Sequence, residues 1–243
     1  MLRHLARLLV LGVVCTLGLQ FYFVARIALM AVADPASTTF ERSEMWRLFA
    51  EKGRIAWSQQ WVADARIADG LKRAVIASED AGFAEHAGVD WEAMEKAWER
   101  NQRAEAQQAR KPPALAAKRA PKIVGGSTIT QQLAKNLFLS GERTVVRKAQ
   151  EFVLTLTLEA LLPKRRILEI YLNHVEWGEG LFGAQAAAQY YFRVDAARLS
   201  NSAAAKLAVM LPAPKRFETR LHSPYLQSRA GTIAARMGDV ELP

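Results

Sequence analysis

The sequence predicts an all-α, mostly helical domain that follows one N-terminal transmembrane helix. Apolar residues recur at helical spacing along several stretches of the chain, and we find no stretch with the strict alternation of apolar and polar residues that marks a half-buried strand. A third observation is a long apolar run near the N-terminus. The length of 243 residues is enough for one domain and such an anchor, with short hairpins allowed in the loops.

The apolar run covers residues 8–33 and is broken by Gln20 and Arg26. A helix needs about 20 residues to cross a bilayer, whereas the apolar part of a signal peptide has about 7–15 residues. Residues 1–33 are therefore predicted to be a cytoplasmic tip and an uncleaved signal-anchor. The small residues ending at Ala33 also resemble a cleavage site, so removal after Ala33 is the alternative.

Positive charges near the two ends of this run predict its orientation. Arg3 and Arg7 precede it and outnumber Arg26 near the other end, so the N-terminus is predicted to be cytoplasmic. The rest of the chain would then lie across the membrane. It is predicted to divide into a membrane-proximal linker (34–56), one helical domain (57–235) and a C-terminal tail (236–243).

The chain is basic, with 33 Lys and Arg against 24 Asp and Glu and a net charge of +9. This balance favours an anionic partner, for which nucleic acid, phospholipid headgroups and pyrophosphates all qualify. Residues 100–122 are strongly basic and are predicted to be a loop, or a frayed helix followed by a loop. Cys15 is the sole cysteine, which excludes an intrachain disulfide and a site of several thiolates.

An acid pair is predicted at the end of a helix over residues 66–78. Glu79 and Asp80 would face the negative end of the helix dipole, which favours the protonated form of a carboxyl group and raises its pKa. A solvated acid pair at a helix end is the alternative. His86 follows, and a lone histidine of this kind is more often a structural hydrogen-bonding residue than a catalyst.

A second helix is predicted after the glycine pair that precedes Ser127. Ser127 or Thr128 would cap it, with Gln131 as the capping-box partner. Thr128, Gln132 and Lys135 share one stripe, which presents a hydroxyl, an amide and an ammonium group. A helix N-terminus behind a glycine turn, followed by a lysine, can bind an anion. A plain capped helix is the alternative.

The most regular helix is predicted over residues 143–162. Four apolar residues would form its buried stripe: Val145, Ala149, Phe152 and Leu156. A neighbouring polar face would consist of Lys148, Glu151, Thr155 and Glu159. Trp91 and Trp98 share another apolar stripe, which is predicted to pack in the core. Ser200 would cap a last apolar helix over residues 203–211.

Four motifs occur in order along the chain: EDAGFAEHAG (79–88), GGSTITQQLAKN (125–136), RTVVRKAQE (143–151) and ILEIYLN (167–173). Together they resemble the biosynthetic peptidoglycan glycosyltransferases, the family shared with the N-terminal domain of bifunctional penicillin-binding proteins. The short chain and residues 176–183 are more similar to the monofunctional branch. The resemblance covers residues 57–235, within which the connection 104–122 is longer than usual.

The resemblance implies a lysozyme-like fold on the periplasmic face of the bacterial cytoplasmic (inner) membrane, held by a single-pass anchor. It implies a hexosyltransferase of cell wall biogenesis that polymerises lipid II into β-1,4-linked glycan and releases undecaprenyl pyrophosphate. The implied partners are lipid II, the growing glycan strand, membrane lipids and proteins of the cell-division or elongation machinery. Nucleic acid is not among them.

The motifs also imply the residues of the site. Glu79 would be the general base, and Glu151 would be the second essential acid. The implied substrate-binding residues are Asp80, Ser127, Gln132, Lys135, Asn136, Arg143 and Lys148.

The residue types fit this chemistry. A carboxylate with a raised pKa can take the proton of the acceptor hydroxyl as it attacks the anomeric carbon of the donor. A pyrophosphate leaving group needs cations more than a strong acid, whereas cleavage between two sugars needs an acid. No cofactor is required by the sequence, and a Mg or Mn ion would assist pyrophosphate departure. The alternatives are an inactive membrane-anchored scaffold of the cell-wall machinery and a lytic, lysozyme-type enzyme.

Overall fold

The computed structural model describes residues 2–109, 125–142 and 144–243. These ranges are mostly helical, which confirms the predicted class. The helices are α1 (Leu2–Leu29), α2 (Thr39–Lys52), α3 (Asp69–Glu79), α4 (Trp91–Ala109), α5 (Ile129–Phe138), α6 (Val145–Leu161), α7 (Lys164–His174), α8 (Ala184–Phe192), α9 (Asn201–Met210), α10 (Pro214–Phe217) and α11 (Pro224–Arg236). Turns of 3₁₀ helix lie at Asp64–Arg66, Ala196–Arg198 and Met237–Asp239.

Helix α1 is long and apolar enough to cross a membrane, in agreement with the predicted anchor. Most of its side chains are exposed, but one edge packs against the domain towards its C-terminal end. Phe23, Ile27 and Met30 are buried along this edge. The ring of Phe23 meets the ring of Phe138, at the end of α5, with 5.2 Å between the centroids. Helix α1 is therefore held to the domain by side-chain packing as well as by the polypeptide connection.

The segment predicted to be a linker, residues 34–56, contains helix α2. Thr38 caps this helix in a capping box with Glu41, so two otherwise unpaired N–H groups are satisfied locally. Helix α2 packs against α5, and the Thr39 hydroxyl donates to the carbonyl oxygen of Leu137 at 2.9 Å. The segment thereby forms one wall of the domain next to α5.

Helix α3, which ends at Glu79, packs against α9 and α11, and these two helices also pack against each other. Ala204, Ala205 and Ala208 of α9 are fully buried, since their small side chains allow neighbouring helices to approach closely. Ser200 caps α9 as predicted. The prediction that α9 is the last helix was wrong, because α10 and α11 follow it. Each of them has a proline in its first turn, where the missing N–H is tolerated.

A small sheet closes the domain near the start of α8. Its strands are β1 (Ser58–Gln59), β2 (Glu176–Gly178) and β3 (Leu181–Phe182), in the order β1-β3-β2. Strands β2 and β3 form an antiparallel hairpin, and β1 pairs with β3 in parallel. Gly180 has a φ of 70°, and a Cβ there would lie 2.0 Å from the carbonyl oxygen of Ala56, so only glycine fits this close approach.

Helix α6 has the reverse of its predicted orientation. Val145 is 86% exposed and Leu156 is also exposed, whereas Glu151 and Thr155 on the predicted polar face are buried. Helix α6 contacts α5 on one side and α1 on another. The polar face can be buried because its acid, Glu151, forms ion pairs there, and the apolar face is left exposed on a helix that contacts α1.

The prediction that Trp91 and Trp98 pack in the core was also wrong. These two residues of α4 are 65% and 66% exposed. The Trp91 ring contacts Phe152 of α6, with 6.1 Å between the centroids. One apolar surface therefore extends from α6 onto α4. We call it the α4–α6 apolar face, and its exposed residues are Trp91, Trp98, Val145, Val146, Val153 and Leu156.

Candidate active site

The predicted site residues line two adjoining cavities that share Ser127. The first, which we call the cationic cavity, has a volume of about 350 Å³. Its lining includes Ser127, Gln132, Lys135, Asn136, Lys148 and Glu151. The second, which we call the acid cavity, has a volume of about 230 Å³ and is lined in part by Glu79, Asp80 and Ser127. Arg143, the remaining predicted site residue, lies outside the described residues.

Glu79 is the last residue of α3 and is partly buried. Its Oε2 accepts a hydrogen bond from Nε2 of Gln132 at 3.2 Å, and its Oε1 accepts one from the Ser78 hydroxyl at 3.3 Å. Burial raises the pKa of Glu79, and the charge of Asp80 raises it further, while the bonds from Gln132 and Ser78 act in the opposite direction. The predicted direction of the shift is confirmed, but its main cause is burial.

Asp80 joins the end of α3 to the start of α5. Its Oδ2 accepts the backbone N–H of Ile129 at 2.9 Å, and its Oδ1 lies 2.8 Å from Nε2 of His86. Nδ1 of His86 accepts the N–H of Gly88 at 3.1 Å, so the proton of the neutral ring is on Nε2, which donates to Asp80. This confirms the structural interpretation of His86. Both oxygens of Asp80 are engaged in these contacts, which hold the end of α3, where Glu79 lies, next to α5. The predicted contact of Asp80 with substrate stays a prediction.

Of the two predicted caps of α5, Ser127 and Thr128, it is Thr128 that caps the helix. Its hydroxyl accepts the N–H of Gln131, and the Gln131 side chain accepts the N–H of Thr128. Ser127 is left exposed between the two cavities. Gly126 does not have a positive φ; a Cβ there would lie 3.1 Å from Cα of Met94, so glycine is needed for close packing against α4.

Positive charge is concentrated in the cationic cavity. Glu151 is 3% exposed and accepts hydrogen bonds from Arg147, at 2.7 Å, and from Lys148. Partial burial lowers the pKa of Lys135, and the charges of Arg147 and Lys148 lower it further, while Glu151 opposes them. In the described part of the chain Lys135 forms no ion pair. The lining thus holds three cations against two acids, Glu151 and Glu142, and its net positive charge fits an anion.

Arg147 is the site residue that sequence reasoning missed. It lines the cationic cavity and lies four residues before Glu151 on α6. A cation and an acid at this spacing face each other on a helix, and this signal was available in the sequence.

Within the described ranges, no three His, Cys, Asp or Glu side chains are grouped closely enough to hold a metal ion. Glu151 is already paired with two cations, and both oxygens of Asp80 are engaged. Glu151 and Asp80 therefore already have partners within the protein, and the participation of a Mg or Mn ion stays a prediction.

The fold and this pair of cavities define a class of enzyme that comparison with known proteins identifies. A family model described as Transglycosylase matches residues 48–238. The chain is 51% identical over 227 residues to the biosynthetic peptidoglycan transglycosylase of Burkholderia thailandensis, which covers 93% of this chain and 83% of that protein. It is 47% identical over 235 residues to the protein of the same name from Bordetella pertussis, with coverages of 96% and 93%.

A third relative, the biosynthetic peptidoglycan transglycosylase of Herminiimonas arsenicoxydans, is 46% identical over 236 residues, with coverages of 97% and 96%. The chain therefore belongs to the transglycosylase family. It is a glycosyltransferase with a mostly helical, lysozyme-like domain that follows one helix able to cross a membrane.

Proposed function

We propose that this glycosyltransferase polymerises lipid II into β-1,4-linked glycan strands of peptidoglycan and releases undecaprenyl pyrophosphate, with Glu79 as the general base. The names of the relatives support peptidoglycan as the product. The observation that carries the proposal is the position of Glu79 next to the cationic cavity, since Gln132 lines that cavity and also donates to the Glu79 carboxylate.

In the proposed reaction, the 4-hydroxyl of the acceptor sugar attacks the anomeric carbon of the donor. The new C–O bond forms as the bond from that carbon to the pyrophosphate oxygen breaks, and the electron pair leaves with the pyrophosphate. Glu79 takes the hydroxyl proton. Its raised pKa suits a base that must be ionised before the reaction and must then hold the proton that it accepts. A single displacement of this kind inverts the configuration at the anomeric carbon.

The leaving group would be stabilised by Lys135, Arg147 and Lys148. Negative charge grows on the pyrophosphate as the bond breaks, and cations that are already in position stabilise it without reorganisation. Glu151 would hold Arg147 and Lys148 in place, because its carboxylate contacts both. This assigns Glu151 a role in the proposed mechanism that does not require it to transfer a proton.

We further propose that the chain is anchored in the bacterial inner membrane with the domain on the periplasmic face. Arg3 and Arg7 support this orientation by the positive-inside rule. Helices α5 and α6, which line the cationic cavity, both contact α1. Such a position gives the site access to a substrate whose lipid tail stays in the bilayer. Contacts with proteins of the cell-division or elongation machinery remain part of the proposal.

The test is to incubate the purified full-length protein with labelled lipid II in vesicles and to separate the products by length. Long glycan strands are expected. No conversion of lipid II would favour an inactive scaffold, and shortening of added glycan strands would favour a lytic enzyme. Either outcome contradicts the proposal.

A further inference from the structure

We propose that Tyr171 is a positioning residue for the general base: it orients the side-chain amide of Gln132, so that this amide donates a hydrogen bond to Glu79. The proposal rests on the proposed role of Glu79. The Tyr171 hydroxyl lies 3.0 Å from Oε1 of Gln132, and Nε2 of Gln132 lies 3.2 Å from Oε2 of Glu79. The three side chains come from α7, α5 and α3, so the chain of hydrogen bonds links three helices.

The direction of each hydrogen bond follows from the donors and acceptors present. An ionised carboxylate can only accept, so Gln132 must turn its NH₂ group towards Glu79. Its carbonyl oxygen then faces Tyr171, and the tyrosine hydroxyl must donate. This arrangement satisfies all three groups while Glu79 is ionised.

Tyr171 is well suited to a permanent donor role. It is 1% exposed, and burial raises the pKa of its hydroxyl well above the ordinary value, with the charges of Glu79 and Asp80 adding to the effect. The hydroxyl therefore keeps its proton throughout the pH range in which Glu79 titrates. Among the described residues, the charged and titratable groups around Glu79 are the adjacent Asp80, then Asp90 and Arg100, which line the acid cavity with it, and Tyr171.

Without the tyrosine hydroxyl, the carboxylate of Glu79 would be the one remaining partner in this chain of hydrogen bonds that favours this orientation of the amide, and the rotated orientation would become more populated. A rotated amide would present its oxygen to the carboxylate, and the two acceptors would repel each other. The ionised form of Glu79 would lose a donor that now opposes the effect of burial on its pKa. Fewer molecules would then carry an ionised base at low and neutral pH.

The experiment measures kcat/KM for lipid II polymerisation in vesicles from pH 5 to pH 9, for the full-length protein and for Tyr171→Phe. We expect the acid limb of the profile to move to higher pH by about one unit, because a hydrogen bond to a charged group is lost. The rate at high pH should fall by less than about threefold, since the base is fully ionised there. Tyr190→Phe removes the same hydroxyl from an exposed tyrosine and should leave the profile unchanged.

A second variant, Gln132→Met, removes the amide itself. Alone it should shift the acid limb as Tyr171→Phe does, which keeps the test available if Tyr171→Phe does not fold. In the Gln132→Met background, adding Tyr171→Phe should cause no further shift. A loss of rate in Tyr171→Phe that is equal at every pH would overturn the proposal, and so would a shift caused by Tyr171→Phe in the Gln132→Met background. Full activity of Glu79→Gln would instead refute the base assignment, which is a distinguishable result.

Discussion

The side-chain amides of Gln20 on α1 and Gln150 on α6 hydrogen-bond to each other twice, with N–O distances of 2.8 and 3.1 Å. Gln20 precedes the last residue of α1 by nine positions, which is about 14 Å along the helix axis. A polar residue in an apolar span is stabilised by such a partner. If α1 crosses the membrane, the start of α6 therefore lies at the depth of the lipid headgroups or below them.

We expect the α4–α6 apolar face to contact lipid. In a Cys15→Ala background, Val146→Cys labelled with a polarity-sensitive fluorophore should emit at shorter wavelength in vesicles, because Val146 is 80% exposed and lies four residues before Gln150, which bonds to α1. Lipids with spin labels on their acyl chains should quench it. Ser228→Cys, on the exposed surface of α11, serves as the control. Equal emission and equal quenching at the two positions would contradict the proposed depth.

Glu79→Gln is expected to lower the polymerisation rate by at least about a hundredfold, since the base is removed. The thermal midpoint should stay the same or rise slightly, because a partly buried acid with a raised pKa is replaced by a neutral side chain of the same shape. Glu85→Gln changes an exposed acid of the same motif and should retain activity. Turnover by Glu79→Gln at the rate of the unmodified protein would refute its assignment as the base.

Lys148→Ala should weaken the binding of a pyrophosphate-bearing inhibitor by about tenfold, because a charge-assisted contact is lost from the cationic cavity. Isothermal titration on the full-length protein in detergent measures this, and the loss should shrink at high salt. Lys96→Ala removes an exposed lysine from α4 and is the matched control. An affinity that is unchanged by Lys148→Ala would exclude the proposed role.

Glu176 is expected to make the stability of the domain depend on pH. It is buried on β2, and burial raises its pKa to about 7, with the charge of Glu44 acting in the same direction and Lys215 in the opposite one. Because the folded-state pKa lies above the unfolded value of 4.5, the unfolded chain loses this proton first. The stability contributed by the protonated group is therefore lost as the pH rises from about 4.5 to about 7.

Replacing this acid by Glu176→Gln should raise the free energy of unfolding at pH 8 by up to about 3 kcal/mol and have little effect at pH 4. Urea denaturation at the two pH values measures the difference. Glu95→Gln, at an exposed position of α4, should show no such dependence. An equal effect of Glu176→Gln at both pH values would mean that Glu176 does not titrate in this range.

Hydrophobic periodicity identified helices such as α3, α5 and α6 but missed α10 and α11, and it did not identify the surroundings of each apolar face. The stripe that includes Val145 and Leu156 was predicted to be buried, and it is exposed next to α1. The pattern is the same for a helix that faces a protein core and for one that faces a membrane, since both remove apolar surface from water. Trp91 and Trp98 also follow a helical apolar pattern and are also exposed.

The sequence alone determined the features that depend on neighbours within a few residues: the helical class, the apolar N-terminal helix, and a capped start of α5 with Gln131 as the partner. The structure identifies Thr128 rather than Ser127 as the cap. Only the tertiary structure decided the surroundings of the base. Gln132 is separated by 53 residues from Glu79 and by 39 from Tyr171 along the chain. The side chains of both residues hydrogen-bond to the side-chain amide of Gln132. Such contacts depend on how α3, α5 and α7 pack, which local periodicity does not specify.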